Sequence, residues 1–125
     1  MGQKGPAMLK WREPGRHQLR MMETLNIVFA HNAELLKYLF EPDCPKLKQE
    51  PEILLAHARG FSSGQRLLLR VGLDLWNGSG GVLMWELIET LDDENYEAVL
   101  LGLRHLRDHD GEDSGMRWRQ PKMAY

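Results

Sequence analysis

Residues 62–89 read SSGQRLLLRVGLDLWNGSGGVLMWELIE. Apolar side chains fill nearly every position of its first half, whereas the polar residues Arg66, Arg70 and Asp74 fall four apart on one narrow stripe. A helix that is apolar around most of its circumference must be enclosed by other elements, because each large side chain left in water would forfeit roughly 1.5–3 kcal/mol. The stretch therefore predicts a buried central helix over 62–76.

Both ends of this central helix carry recognisable signals. Ser62 can accept a hydrogen bond from the first turn, and Gln65, three residues later, can reach back to the amide of Ser62. Asn77 and the glycines after it tolerate the positive φ values that end a helix. We therefore expect a helix, a glycine-rich turn and then a second amphipathic segment.

The rest of the chain is also dominated by helical spacing. Apolar residues recur every three or four positions from residue 16 to residue 41, either as one long helix or as two joined near His31, with Asn32 as a possible cap. Further helices are predicted over 51–59, 84–91 and 93–107, and a very short extended entry is expected at Val82 and Leu83. The fold class is therefore mainly α, a small bundle of about five helices around the central helix.

With 125 residues, the chain has the size of a single domain. Glycines, prolines and basic residues predict a flexible arm over 1–15, although Trp11 within it is expected to pack on the domain surface. The helical domain is predicted to span 16–107, and the polar composition of 108–125 predicts a mobile tail.

Composition limits the possible functions. The formal net charge of −2 gives no general attraction toward nucleic acid or an anionic membrane, and a single cysteine, Cys44, excludes an internal disulfide. No apolar run has the length of a signal peptide's core or of a membrane span. We therefore expect a cytoplasmic protein with no membrane association.

The glycine turn resembles a degenerate EF-hand loop over Leu75–Glu86. Asn77 and Ser79 take the third and fifth positions of that loop, a glycine stands at the sixth, and Glu86 stands at the twelfth, where a bidentate carboxylate belongs. The first position departs from the family, since Leu75 replaces an aspartate. The resemblance implies weak metal binding through Asn77, Ser79 and Glu86.

The same region resembles a winged-helix domain in the order of its elements, with the terminal segment as the wing. That resemblance implies nucleic-acid binding through the basic and aromatic residues Arg117, Trp118, Arg119 and Lys122. Charge argues against it, because the helix in the recognition position begins with Asp93 and Glu94, which would meet phosphates.

No motif supports catalysis or a cofactor. His105 and His109 could share a helix face for zinc, but the sequence identifies no further ligand, and His31 with Glu34 more simply suggests a surface hydrogen bond. By elimination, we expect a non-catalytic protein that binds another protein or itself, with Met84, Trp85 and Trp118 as candidate contact residues.

Overall fold

The computed structural model describes residues 9–114, which contain six helices and no strand. The helices are α1 Arg16–Val28, α2 Ala33–Leu39, α3 Pro51–Ala56, α4 Ser63–Asn77, α5 Met84–Thr90 and α6 Asp93–Ser114. The predicted mainly α bundle is confirmed. The number of helices exceeds five because the segment 16–41 divides into α1 and α2.

Helix α4 is the central helix that its sequence predicts. It contacts α1, α2, α3 and α5, and it buries Leu67, Leu68, Leu69, Val71, Gly72 and Leu73. Ser62 and Gln65 form the expected reciprocal cap, with Gln65 N donating to Ser62 Oγ at 3.1 Å and Ser62 N donating to Gln65 Oε1 at 2.9 Å. The helix ends where Gly78 adopts a left-handed φ of 78°.

Helix α6 packs closely along α1. A Cβ atom added to Gly102 would lie 2.4 Å from Val28 Cγ2, so the crossing requires glycine at this position. Beyond the end of α1, Asn32 Nδ2 donates to Asn95 Oδ1 at 2.8 Å and joins the α1–α2 turn to α6. In residues 9–114, no helix combines the length and the apolar character needed to cross a bilayer.

Residues 9–12, within the predicted arm, pack against the bundle. Lys10 N donates to Pro42 O at 2.9 Å and Arg12 N donates to Asp43 O at 3.0 Å. Trp11, which the sequence predicts to pack on the domain surface, is buried within the core, and its Nε1 donates to Glu41 O at 3.3 Å. At its other end, α6 continues past the predicted domain limit of 107 to residue 114.

The extended entry expected at Val82 and Leu83 does not pair as a strand. The backbone of Leu83 is extended, but the amide of Val82 donates to Asp74 Oδ2 at 2.9 Å and that of Leu83 donates to Glu86 Oε1 at 2.9 Å. Carboxylates therefore take the hydrogen bonds that a neighbouring strand would otherwise accept.

Candidate functional site

The glycine turn between α4 and α5 is organised around the carboxylate of Asp74. Asp74 Oδ1 accepts hydrogen bonds from the amides of Gly80 at 2.7 Å and Gly81 at 3.0 Å, while Oδ2 accepts from the amide of Val82. A half-buried carboxylate with three amide donors is well compensated for its lost hydration. The turn is therefore a defined structure and not a flexible connection.

Arg70 binds the carbonyl oxygens of the same turn, whereas Asp74 binds its amides. Its Nε donates to Gly80 O at 2.9 Å and its Nη2 donates to Gly81 O at 2.6 Å. The backbones of Arg70 and Gly80 lie so close that a Cβ atom on Gly80 would lie 1.8 Å from Arg70 O. The packing at this position admits glycine alone.

The Arg70 guanidinium also holds α5 through Glu86. Its Nη1 and Nη2 each donate to one carboxylate oxygen of Glu86 at 3.1 Å, which is the bidentate geometry that guanidinium favours. The backbone hydrogen bond from Leu83 and the contact with Arg70 hold the pKa of Glu86 below its ordinary value. We call Arg70, Asp74 and Glu86 the turn clamp.

Two of the three predicted metal ligands, Glu86 and Asn77, have other partners in the structure, whereas the buried Ser79 Oγ has no hydrogen-bond partner among the described residues. Glu86 is bound by Arg70 and Leu83, and Asn77 Oδ1 accepts a hydrogen bond from Ser79 N at 3.1 Å. Within the described residues, no group of three or more His, Cys, Asp and Glu could hold a metal ion. The spacing that resembles an EF-hand loop thus coincides with a turn held by protein hydrogen bonds, and the EF-hand hypothesis gains no support.

Helix α5 exposes nearly all of its apolar side chains, and none of its residues is buried. Met84 is 81% exposed, Ile88 65% and Trp85 61%, and Leu83 just before the helix is 57% exposed. Only Leu87 on the helix is a partly buried apolar side chain that packs against the core. Together Leu83, Met84, Trp85 and Ile88 form what we call the α5 face.

The remaining sequence candidates do not join the α5 face. The basic and aromatic candidates of the terminal segment lie outside the described residues: Arg117, Trp118, Arg119 and Lys122. Trp118 as a candidate contact residue therefore also lies outside them. His105 Nε2 lies 3.0 Å from Glu23 Oε1 and thereby links α6 to α1.

The acidic start of α6 is exposed. Asp93, Glu94 and Glu97 all face solvent, which is the wrong charge for an approach to nucleic-acid phosphates. His31 and Glu34 are likewise exposed. Neither observation favours a nucleic-acid or acid–base role for these residues.

The roles of Arg70 and Asp74 were not predicted. Their four-residue spacing on α4 indicates a polar stripe, but the sequence does not show that this stripe faces the turn that follows. A carboxylate six to eight positions before a glycine run is a weak signal for amide capping.

Comparison of the chain with protein-family models, curated proteins and solved structures gives no match.

Proposed function

We propose that this chain is a non-catalytic protein-binding module whose α5 face docks in an apolar cleft of another protein. The observation that carries the proposal is the exposure of α5, which is rich in apolar residues but buries none of them and leaves Met84, Trp85 and Ile88 mostly in solvent. Single exposed apolar residues are ordinary, but a contiguous set is typical of an interaction site.

The turn clamp supports this function because it fixes α5 without using the apolar side chains. A helix of seven residues is unstable alone in water. Here the Arg70–Glu86 pair and the amides bound by Asp74 hold its start in place. A preorganised helix loses less conformational entropy on binding, which favours affinity.

The size of the α5 face argues against a symmetric dimer in which the α5 faces of two copies meet. Stable interfaces bury ~800 Å² on each partner. Four partly exposed side chains on and beside one short helix supply less than this unless the partner encloses them in a cleft. Methionine and tryptophan suit such a docking helix, since the thioether repacks easily and indole is enriched at binding hot spots.

The proposal is tested by replacing Met84 with a photo-crosslinking amino acid in otherwise wild-type chain and in the double variant Trp85→Ser with Ile88→Ser. We expect a discrete crosslinked protein with the wild-type background and its loss in the double variant. The matched control is Ile53→Ser on α3, which removes a partly exposed apolar side chain elsewhere. This control should crosslink as the wild type does.

Two results would overturn the proposal. In the first, the double variant crosslinks the same protein as strongly as the wild type. In the second, the crosslink joins two copies of this chain and sedimentation shows a dimer that the double variant loses, which would assign the α5 face to self-association.

A further inference from the structure

A second surface lies where the start of α6 meets the end of α1. The two helices border an open groove of about 650 Å³. Its surface is almost wholly apolar, with Ile27, Ala30, Ala98 and Leu101 among the lining residues, and Leu101 is 57% exposed. This volume lies within the range of roughly 300–1,000 Å³ that is typical of ligand pockets.

The carboxylates that line this groove outnumber its one histidine, His31. Asp93, Glu94 and Glu97 line it, and the described lining residues include no lysine or arginine. The C-terminal end of α1 also faces it, and the last turn of that helix carries no basic residue. Because the C-terminal end of a helix bears partial negative charge and the N-terminal end partial positive charge, the α1 end adds to the field of the three carboxylates, whereas the start of α6 opposes it.

Helix capping accounts for part of this acidic cluster but not for all of it. The side chain that caps α6 is Asp92, whose Oδ1 accepts from Asn95 N at 2.9 Å. Asp93 and Glu94 complement the dipole of the first turn. Glu97 lies beyond that turn, where the effect of the dipole has fallen off, so the dipole does not account for its position beside the apolar groove.

We propose that the α1–α6 groove binds an extended peptide segment of a partner protein that carries a lysine or arginine flanked by small apolar residues. The apolar surface takes the flanking side chains and the methylene stem of the basic residue, and the carboxylates pair with its charged end. This site is separate from the α5 face, so it gives the protein a second point of recognition with its own charge preference.

The test is selection of a displayed random nonapeptide library on the full chain. We expect enrichment of peptides with a basic residue between apolar ones. The affinity of a selected peptide should fall at least about tenfold in the triple variant Asp93→Asn, Glu94→Gln and Glu97→Gln, and it should weaken with added salt. Amide resonances of Ala30 and Ala98 should shift when the wild-type chain binds the peptide.

The control is the triple variant Glu34→Gln, Glu50→Gln and Glu52→Gln, which removes the same charge from exposed positions on and beside α2 and α3. It should bind as the wild type does, as should Trp85→Ser. The proposal is overturned if the selected peptides lack basic residues, or if both triple variants bind equally. It is also overturned if Lys4→Glu shifts the groove resonances without peptide, since the chain's own residues 1–8 would then occupy the groove.

Discussion

At the scale of single residues, the contact between Gly80 and Arg70 sets the geometry of the glycine turn. We expect Gly80→Ala to lower the free energy of unfolding by at least about 3 kcal/mol, because the new methyl group would meet the backbone of α4, which cannot move aside as a side chain could. Chemical denaturation measures the change.

The matched control for this substitution is Gly60→Ala. A Cβ atom at Gly60 has no neighbour within 4 Å, and its φ is not positive. Its unfolding free energy should therefore stay within about 0.5 kcal/mol of the wild type. If Gly80→Ala lowered the unfolding free energy as little as Gly60→Ala does, the turn would be able to adapt to a side chain and the close approach would not be required.

Thr24 on α1 is fully buried where α1 packs against α6. Its Oγ1 has no hydrogen-bond partner among the described residues, and leaving a buried hydroxyl unpaired costs about 1–3 kcal/mol. We expect Thr24→Val, which keeps the shape and removes the hydroxyl, to raise the unfolding free energy by about 1 kcal/mol. Thermal denaturation measures the gain.

Thr24→Ser is the informative counterpart, because it keeps the hydroxyl and removes the methyl group that lies 3.5 Å from a Cβ built on Gly102. It should destabilise the protein by about 1 kcal/mol. If Thr24→Val instead proved less stable than the wild type, the hydroxyl would have a partner in solution.

At the scale of elements, the Arg70–Glu86 ion pair joins α5 to α4. The pKa of Glu86 is lowered in the folded chain, so its contribution to stability is complete above its unfolded pKa and disappears as pH falls through the folded pKa. We expect the hydrogen-exchange protection of the first α5 amides to decrease between pH 6 and pH 3. Glu86→Gln should show weaker protection at pH 6 and a smaller further loss on acidification.

The difference between the wild type and Glu86→Gln isolates this carboxyl from other groups that titrate in the same range. Glu89→Gln, an exposed change on the same helix, should follow the wild-type profile. Parallel profiles for the wild type and Glu86→Gln would show that α5 is held without the ion pair.

The elements themselves could be predicted where the signal is local. Ser62 and Gln65 lie three residues apart, which is sufficient to specify the start of α4, and its run of leucines is sufficient to predict burial. The clamp could not be predicted, because the hydrogen bonds of Asp74 to the turn depend on how the chain reverses after Gly78. The pattern at Val82 and Leu83 predicts the extended backbone that Leu83 adopts, but it carries no information on the partner of their amides.

At the scale of the whole molecule, an aromatic cluster joins distant parts of the chain. The ring centroid of Trp11 lies 5.9 Å from that of Trp76 and 6.1 Å from that of Phe40, so a residue before α1 packs on α4 and on the end of α2. Composition predicts a flexible arm at residues 1–15 because glycine and proline disfavour helix. It cannot show that one indole within that segment completes a core formed by residues far along the chain.

The proposed function assigns separate roles to the apolar residues of α4 and to those of the α5 face, and these roles predict different effects on stability. Leu68 is 1% exposed on α4, whereas Trp85 and Ile88 are mostly exposed. We expect Leu68→Ala to lower the unfolding free energy by about 2–5 kcal/mol. Trp85→Ser with Ile88→Ser should change it by about 0.5 kcal/mol or less, because their side chains are mostly in water in the folded chain. Denaturation of both variants beside the wild type measures the two effects.

Far-ultraviolet circular dichroism checks that helix content is retained in each variant. A large loss of stability in Trp85→Ser with Ile88→Ser would contradict the assignment, since it would mean that the α5 face is part of the core in solution. A small loss, together with the disappearance of the Met84 crosslink, would show that α4 uses its leucines to stabilise the fold while α5 uses its apolar residues for recognition. The turn clamp is what allows this division, because polar contacts can fix a helix while its apolar side chains remain exposed.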